Sequence, residues 1–175
     1  GDEPAGTETM LFLLDKLLND PDYAYLLEKI TLSIVPMANI DGYEKLDRYA
    51  ANGLDLNRDQ VKLICKESNF LKKAFSDYGA EVAVDFHEYR PFRKEFGLLG
   101  TDGICSIYDA MFMHSGNLNL PQNLREYTTN VFVGNAKKVL EFNNFLFRDY
   151  IASVKHNNEV YFNQCTTEAR SSTTS

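Results

Sequence analysis

Glu81-Val82-Ala83-Val84-Asp85-Phe86-His87 is the stretch on which the reading of the fold turns. Its alternating, β-branched character predicts a strand over 81–86, ending at a histidine. Working outward, Ile30-Thr31-Leu32-Ser33-Ile34-Val35-Pro36 has the same character and predicts a second strand. Ile107–Met113 and Val160-Tyr161-Phe162 predict two more. Helical patterns lie between them. Met10, Leu13, Leu14, Leu17 and Leu18 set a helix over 7–18, with Thr7 as its N-cap and Asn19-Asp20-Pro21 as its stop. A short helical turn follows at 23–28. Ile64, Leu71, Phe75 and Tyr78 predict a helix over 59–78, closed by Gly79. Leu124, Tyr127, Val131 and Leu140 predict another over 123–143. Strands alternating with helices imply an α/β class. The expected architecture is a mostly parallel or mixed central sheet with helices on both faces. Ligands of such sheets gather at the carboxyl ends of the strands. His87 and the turn signal Asn39-Ile40-Asp41-Gly42 both fall there.

The bulk numbers bound the rest. A chain of 175 residues fits one domain, residues 1–175, and 44% hydrophobic residues supply a core. A formal charge of -7 argues against a general nucleic-acid binder, which needs a basic face. No apolar run reaches the ~20 residues that span a bilayer. Cys65, Cys105 and Cys165 are widely spaced and carry no paired-cysteine metal motif, so they read as buried or free thiols. The basic, aromatic segment Arg90-Pro91-Phe92-Arg93-Lys94 reads as a solvated loop or as one wall of a cleft. No internal repeat or low-complexity block is present.

Three stretches could carry chemistry. The first is Gly1-Asp2-Glu3-Pro4-Ala5-Gly6-Thr7-Glu8, where a Glu stands near the N-terminus of the first predicted helix. Taken alone, Glu3 is a favourable charge at the helix dipole. The second is His87, which alone would be a structural histidine. At a strand end it projects toward the crevice, and imidazole is among the commonest zinc ligands. His114 and His156 lack such context and read as structural or surface residues. The third is Asn52-Gly53-Leu54-Asp55-Leu56-Asn57-Arg58-Asp59, a dense polar stretch. Arg58 offers a planar fork suited to a carboxylate, and Asn57 an amide donor.

Together, in order, these stretches resemble the zinc metallocarboxypeptidase family. Glu3 matches the Glu of its first motif, a His, two residues, then a Glu, with the His one position before Gly1. Asp85-Phe86-His87 matches the third zinc ligand. Gly53-Leu54-Asp55-Leu56-Asn57-Arg58 matches the Gly-x-Asp-x-Asn-Arg motif at every specified position. Asn39-Ile40-Asp41-Gly42 resembles the Asn-Pro-Asp-Gly turn, with Ile40 where Pro is usual. The likeness covers roughly residues 1–88; beyond that it is diffuse, and Tyr108, Tyr127 and Tyr161 are not separable as the family's closing tyrosine.

The resemblance implies one Zn²⁺ held by Glu3 and His87, with Asp55 beside the first-motif His as its outer partner. It assigns Asn57 and Arg58 to a terminal carboxylate and Arg48 to the developing oxyanion. The implied function is hydrolytic removal of C-terminal residues from peptides. Two alternatives stay open: a zinc-dependent deacylase of N-acyl amino acids, such as succinylglutamate or acetylaspartate, and a relative that binds peptide ends without cutting. Partners are then a peptide or a small carboxylate-bearing substrate, with no nucleic acid. The compartment of many relatives is secreted or periplasmic. The family's general base is a late Glu. Glu168 lacks the apolar context for it, so the base is expected after Ser175. The fold would then be incomplete at both ends, and this polypeptide alone would bind zinc weakly and show little peptidase activity.

Overall fold

The computed structural model describes residues 1–99, 101–114, 119–156 and 159–164, with backbone alone at Glu95, 151–156 and 160–164. Cys165, Glu168 and the polar tail 170–175 lie outside the described residues. Two compact units divide at Glu88 and Tyr89.

The first unit, Gly1–Glu88, is helical. Helix α1 (Pro4–Asn19) begins with Pro at its first position and ends where Asp20-Pro21 cannot continue it. Asp20 then caps α2 (Pro21–Ala24) by accepting the Asp22 N–H at 3.0 Å, and a 3₁₀ turn follows at Tyr25–Glu28. The segment Asn39–Gly42 is the start of a helix and not a free turn. The Asn39 side chain caps α3 (Ile40–Lys45), accepting the Gly42 N–H at 3.0 Å. Ile40 therefore stands at the first helical position, where proline also fits. A Cβ on Gly42 would lie 2.5 Å from the Asp47 carbonyl, so only glycine packs there.

The helix expected over 59–78 is two helices. Helix α4 (Leu56–Asp59) stops, and α5 (Lys66–Tyr78) starts afresh. Asp59 causes the break. Its carboxylate accepts the N–H of Ile64 at 3.0 Å and of Cys65 at 2.7 Å, and the chain turns through Leu63 at φ 55° to reach it. Gly79 ends α5 at φ 61°, the left-handed cap that glycine favours. Ala50, Leu56 and Cys65 form a small buried cluster around this junction.

The expected strands at 30–36 and 81–86 carry no strand ladder. The side chains of Ile30, Leu32, Val35, Val82, Val84 and Phe86 are exposed. Their pattern is that of strands, but a strand needs a neighbour to satisfy its backbone, and among the described residues none pairs with them.

The second unit, from Tyr89, does form sheet. Strand β1 (Ala110–Phe112) pairs in parallel with β2 (Phe147–Asp149), Met111 opposite Arg148. Helices α6 (Gln122–Tyr127) and α7 (Gly134–Phe142), joined through a π-helical turn at Thr128–Val133, make the crossover. This is a βαβ unit. Strands β3 (Ile151–His156) and β4 (Glu159–Gln164) form an antiparallel hairpin. The whole is a helix-rich mixed structure with a small two-stranded parallel sheet.

Candidate functional site

The site residues lie in the first unit, and close backbone packing gathers them. A Cβ on Gly6 would meet the Phe86 carbonyl at 2.9 Å, so the first turn of α1 lies directly on the segment that ends at His87. A Cβ on Gly1 would meet the Asp47 carbonyl at 2.6 Å, which sets the chain start beside Arg48.

Glu3 and His87 meet. Glu3 Oε2 lies 2.6 Å from His87 Nδ1 and accepts the Glu88 N–H at 3.1 Å. On the other side of the ring, Asp85 Oδ2 lies 3.3 Å from His87 Nε2. The imidazole thus sits between two carboxylates. Asp85 and then Glu3 raise its pKa to about 10 against the opposing effect of burial. Burial pushes the Glu3 carboxyl up, but the hydrogen bonds from His87 and from the Glu88 N–H outweigh it and leave it lowered. The side chains of His87 and Glu3 remain 51% and 28% exposed, so both can be reached from solvent.

The Asn52–Asp59 stretch folds into a tight turn and a single helical turn. Gly53 holds φ 78°, with its N–H on the Ala50 carbonyl at 2.8 Å, and the Ala50 N–H on Leu54 at 2.9 Å closes the turn. Asp55 then works with both oxygens. One caps α4 by accepting the Asn57 N–H at 3.0 Å, and the other accepts Arg48 Nε at 2.7 Å. Arg48 is thereby fixed near Glu3 and Asp2, close enough for both to act on its charge. The Arg58 side chain is exposed and has no hydrogen bond or ion pair among the described residues, and Asn57 beside it is half-buried. The first-motif His that Asp55 was expected to orient is not part of the chain.

Two residues that the sequence reading did not assign stand at the site: Asp85, against His87 Nε2, and Glu88, whose Oε2 accepts the Ala5 N–H at 3.2 Å. Asp85 was findable. In an extended segment, residues two apart share a face. Glu88 carried no such signal, because its contact spans 83 positions.

The donor chemistry fits a zinc ion in kind. Glu3 supplies an oxygen and His87 Nδ1 a nitrogen, while Asp85 takes the other ring nitrogen, as an outer carboxylate does for a ligating histidine. In number it is partial: among the described residues no group of three or more His, Cys, Asp or Glu could hold a metal.

Other expected features are structural. Cys65 is buried, and Cys105 is exposed, both as thiols. His114 is tied to Thr129 at 3.3 Å and stands 3.7 Å from Asp149, which pairs with Lys137 at 2.6 Å. No helix among the described residues is long and apolar enough to cross a membrane.

A family model for zinc carboxypeptidases matches residues 1–94. Probable carboxypeptidase 2 of Arthroderma benhamiae is 34% identical over 152 residues, 86% of this chain and 28% of that protein. Carboxypeptidase 2 of Trichophyton tonsurans has the same identity and coverage. Carboxypeptidase SOL1 of Arabidopsis thaliana is 40% identical over 63 residues, 34% of this chain and 13% of that protein. The chain thus spans less than a third of the length of these relatives. No solved structure matches it significantly.

Proposed function

The chain belongs to the zinc carboxypeptidase family, and from that we propose that it forms part of a zinc-dependent enzyme that removes C-terminal residues from peptides. One observation carries the reading: Glu3 Oε2 and His87 Nδ1, 84 positions apart in sequence, stand 2.6 Å from each other. Glu3 and His87 would hold the ion, which when bound supplies a polarised water and a Lewis acid for the scissile carbonyl.

The chain's own residues do the rest. Asp85 holds the Nε2 side of the His87 ring and so turns Nδ1 toward Glu3, the side on which the metal would sit. Asp55 anchors Arg48 by Nε, giving a fixed cation for the oxygen on which charge develops. Exposed Arg58, with Asn57, receives the terminal carboxylate of the substrate. We also assign the exposed apolar segments 30–36 and 81–86 to a central sheet of the whole protein. Six exposed apolar side chains support that assignment.

The test is binding of a dipeptide with a free C-terminus against its C-terminal amide, followed by NMR on the chain with Zn²⁺. The free carboxylate is expected to bind at least tenfold more tightly, and Arg58→Ala to erase the difference, because a charge-assisted hydrogen bond contributes about 1.5–3 kcal/mol. Equal binding of acid and amide would exclude this substrate class.

A further inference from the structure

The two donors are far apart in sequence and partly open to solvent, so their meeting depends on whatever joins the start of α1 to the segment ending at His87. Helix starts leave backbone N–H groups without partners, and the N-cap side chain normally serves one of them. Glu3 is the N-cap residue of α1, yet its side chain makes no capping hydrogen bond. Its carboxylate is turned to His87 and to the Glu88 N–H instead. The vacated duty falls to Glu88, whose Oε2 accepts the Ala5 N–H at 3.2 Å. The two glutamates therefore exchange hydrogen bonds: the side chain of Glu3 takes the backbone of Glu88, and the side chain of Glu88 takes the backbone of Ala5, two residues past Glu3.

We propose that Glu88 is a positioning residue: it caps α1 across 83 positions in place of Glu3, and so releases the Glu3 carboxylate to stand with His87 as a metal donor. This rests on the reading of Glu3 and His87 as the metal-holding pair. The closeness of the backbones supports it. Gly6 has no room for a Cβ against the Phe86 carbonyl, so the helix start and the His87 segment are in direct contact where the clip closes. A general charge effect at a helix N-terminus would ask only for a negative group nearby. The clip asks for an acceptor oxygen on the Ala5 N–H.

The test uses the 175-residue chain with Zn²⁺ as the probe. Amide hydrogen exchange at Ala5 is measured in the metal-free protein, and Zn²⁺ affinity in every variant by calorimetric titration. Glu88→Ala is expected to speed Ala5 exchange and to weaken Zn²⁺ binding roughly 10- to 100-fold, the range for loss of an outer partner. Glu88→Gln keeps an acceptor oxygen and is expected to restore Ala5 protection and most of the affinity. Unchanged affinity in Glu88→Ala, with binding abolished in His87→Ala, overturns the positioning role and leaves the metal reading standing. Binding that survives His87→Ala overturns the metal reading, and the positioning role falls with it. A Glu88→Gln variant as impaired as Glu88→Ala overturns the hydrogen-bonded cap. Should Glu88→Ala fail to fold, a tenfold loss in Glu88→Gln against the parent chain overturns it equally.

Discussion

Glu3 and Asp59 lie in the same unit and both bind backbone N–H groups, at 3.1 Å for Glu3 and at 2.7 and 3.0 Å for Asp59. Their surroundings differ. Asp59 is 4% exposed, and its partners Ile64 and Cys65 follow within six residues. The Glu3 side chain is 28% exposed, and its partners are 84 and 85 positions away. A carboxylate that builds the fold is sealed in by its own neighbourhood. Glu3, the proposed metal donor, stays reachable and is held from a distance, by backbone approach at Gly6 and by the hydrogen bonds of Glu88. For these two carboxylates, the sealed one is held by its sequence neighbours, and the reachable one by partners brought from the far end of the unit.

The largest effect on stability is expected where the local carboxylate is removed. Asp59→Ala leaves the buried Cys65 N–H and the partly buried Ile64 N–H without partners at the α4–α5 junction and should destabilise by about 3 kcal/mol in chemical denaturation, since an unsatisfied buried donor costs about 1–3 kcal/mol. Zn²⁺ affinity at the Glu3–His87 pair should change less than stability. Comparable loss of both would break the comparison. Asp59 also sets a pH signature. Burial pushes its carboxyl up, but the N–H groups of Cys65 and Ile64 outweigh this and leave it below its ordinary value. Because the folded value is depressed, its contribution is present above the unfolded value, about 3.9, and is lost as pH falls through the folded one. In Asp59→Asn this acid-dependent loss, read from stability against pH below about 4, should flatten.

A smaller effect is expected at Gly6. Alanine gains up to ~1 kcal/mol of helix propensity, but its Cβ meets the Phe86 carbonyl, and such overpacking costs about 1–3 kcal/mol. A net loss of about 1 kcal/mol should result, with the His87 ring resonances shifted while those of the α4–α5 junction stay in place. Unmoved His87 resonances would show that the approach of α1 does not set the pair. The smallest effect is expected at Arg58. It is exposed and unpaired among the described residues, so Arg58→Ala should leave stability within about 0.5 kcal/mol. A larger loss would make Arg58 a scaffold residue and weaken its assignment to a substrate carboxylate.

Helices were legible because their signals are local. Apolar spacing over 7–18 and the Pro21 stop place α1 within a few residues of its observed ends. Strand β1 fell inside its expected range, and the crossover helices fell within a residue of the expected 123–143, interrupted by the π-helical turn, for the same reason. The helix over 59–78 was misread because a carboxylate that rebinds the chain five and six residues on looks, in sequence, like one more polar helical position. The strands at 30–36 and 81–86 were legible as apolar alternation but carry no ladder among the described residues, since pairing belongs to two segments and not to one.

Sequence by itself determined which residue types were at hand. Gly53 permits the turn at φ 78°, and Asp55 and Asn39 cap the helices that follow them. The His, Glu and Arg in family-like motifs offered metal and carboxylate chemistry. Only the tertiary structure decided which of them share a place. It set Glu3 against His87, turned Asp55 to Arg48, and gave the capping of α1 to Glu88. The physical reason is that capping and turn formation are settled within a few residues by hydrogen bonds the chain makes to itself. A contact across 83 to 85 positions is settled by how closely two backbones can approach, and at Gly6 that depends on the absence of a single Cβ.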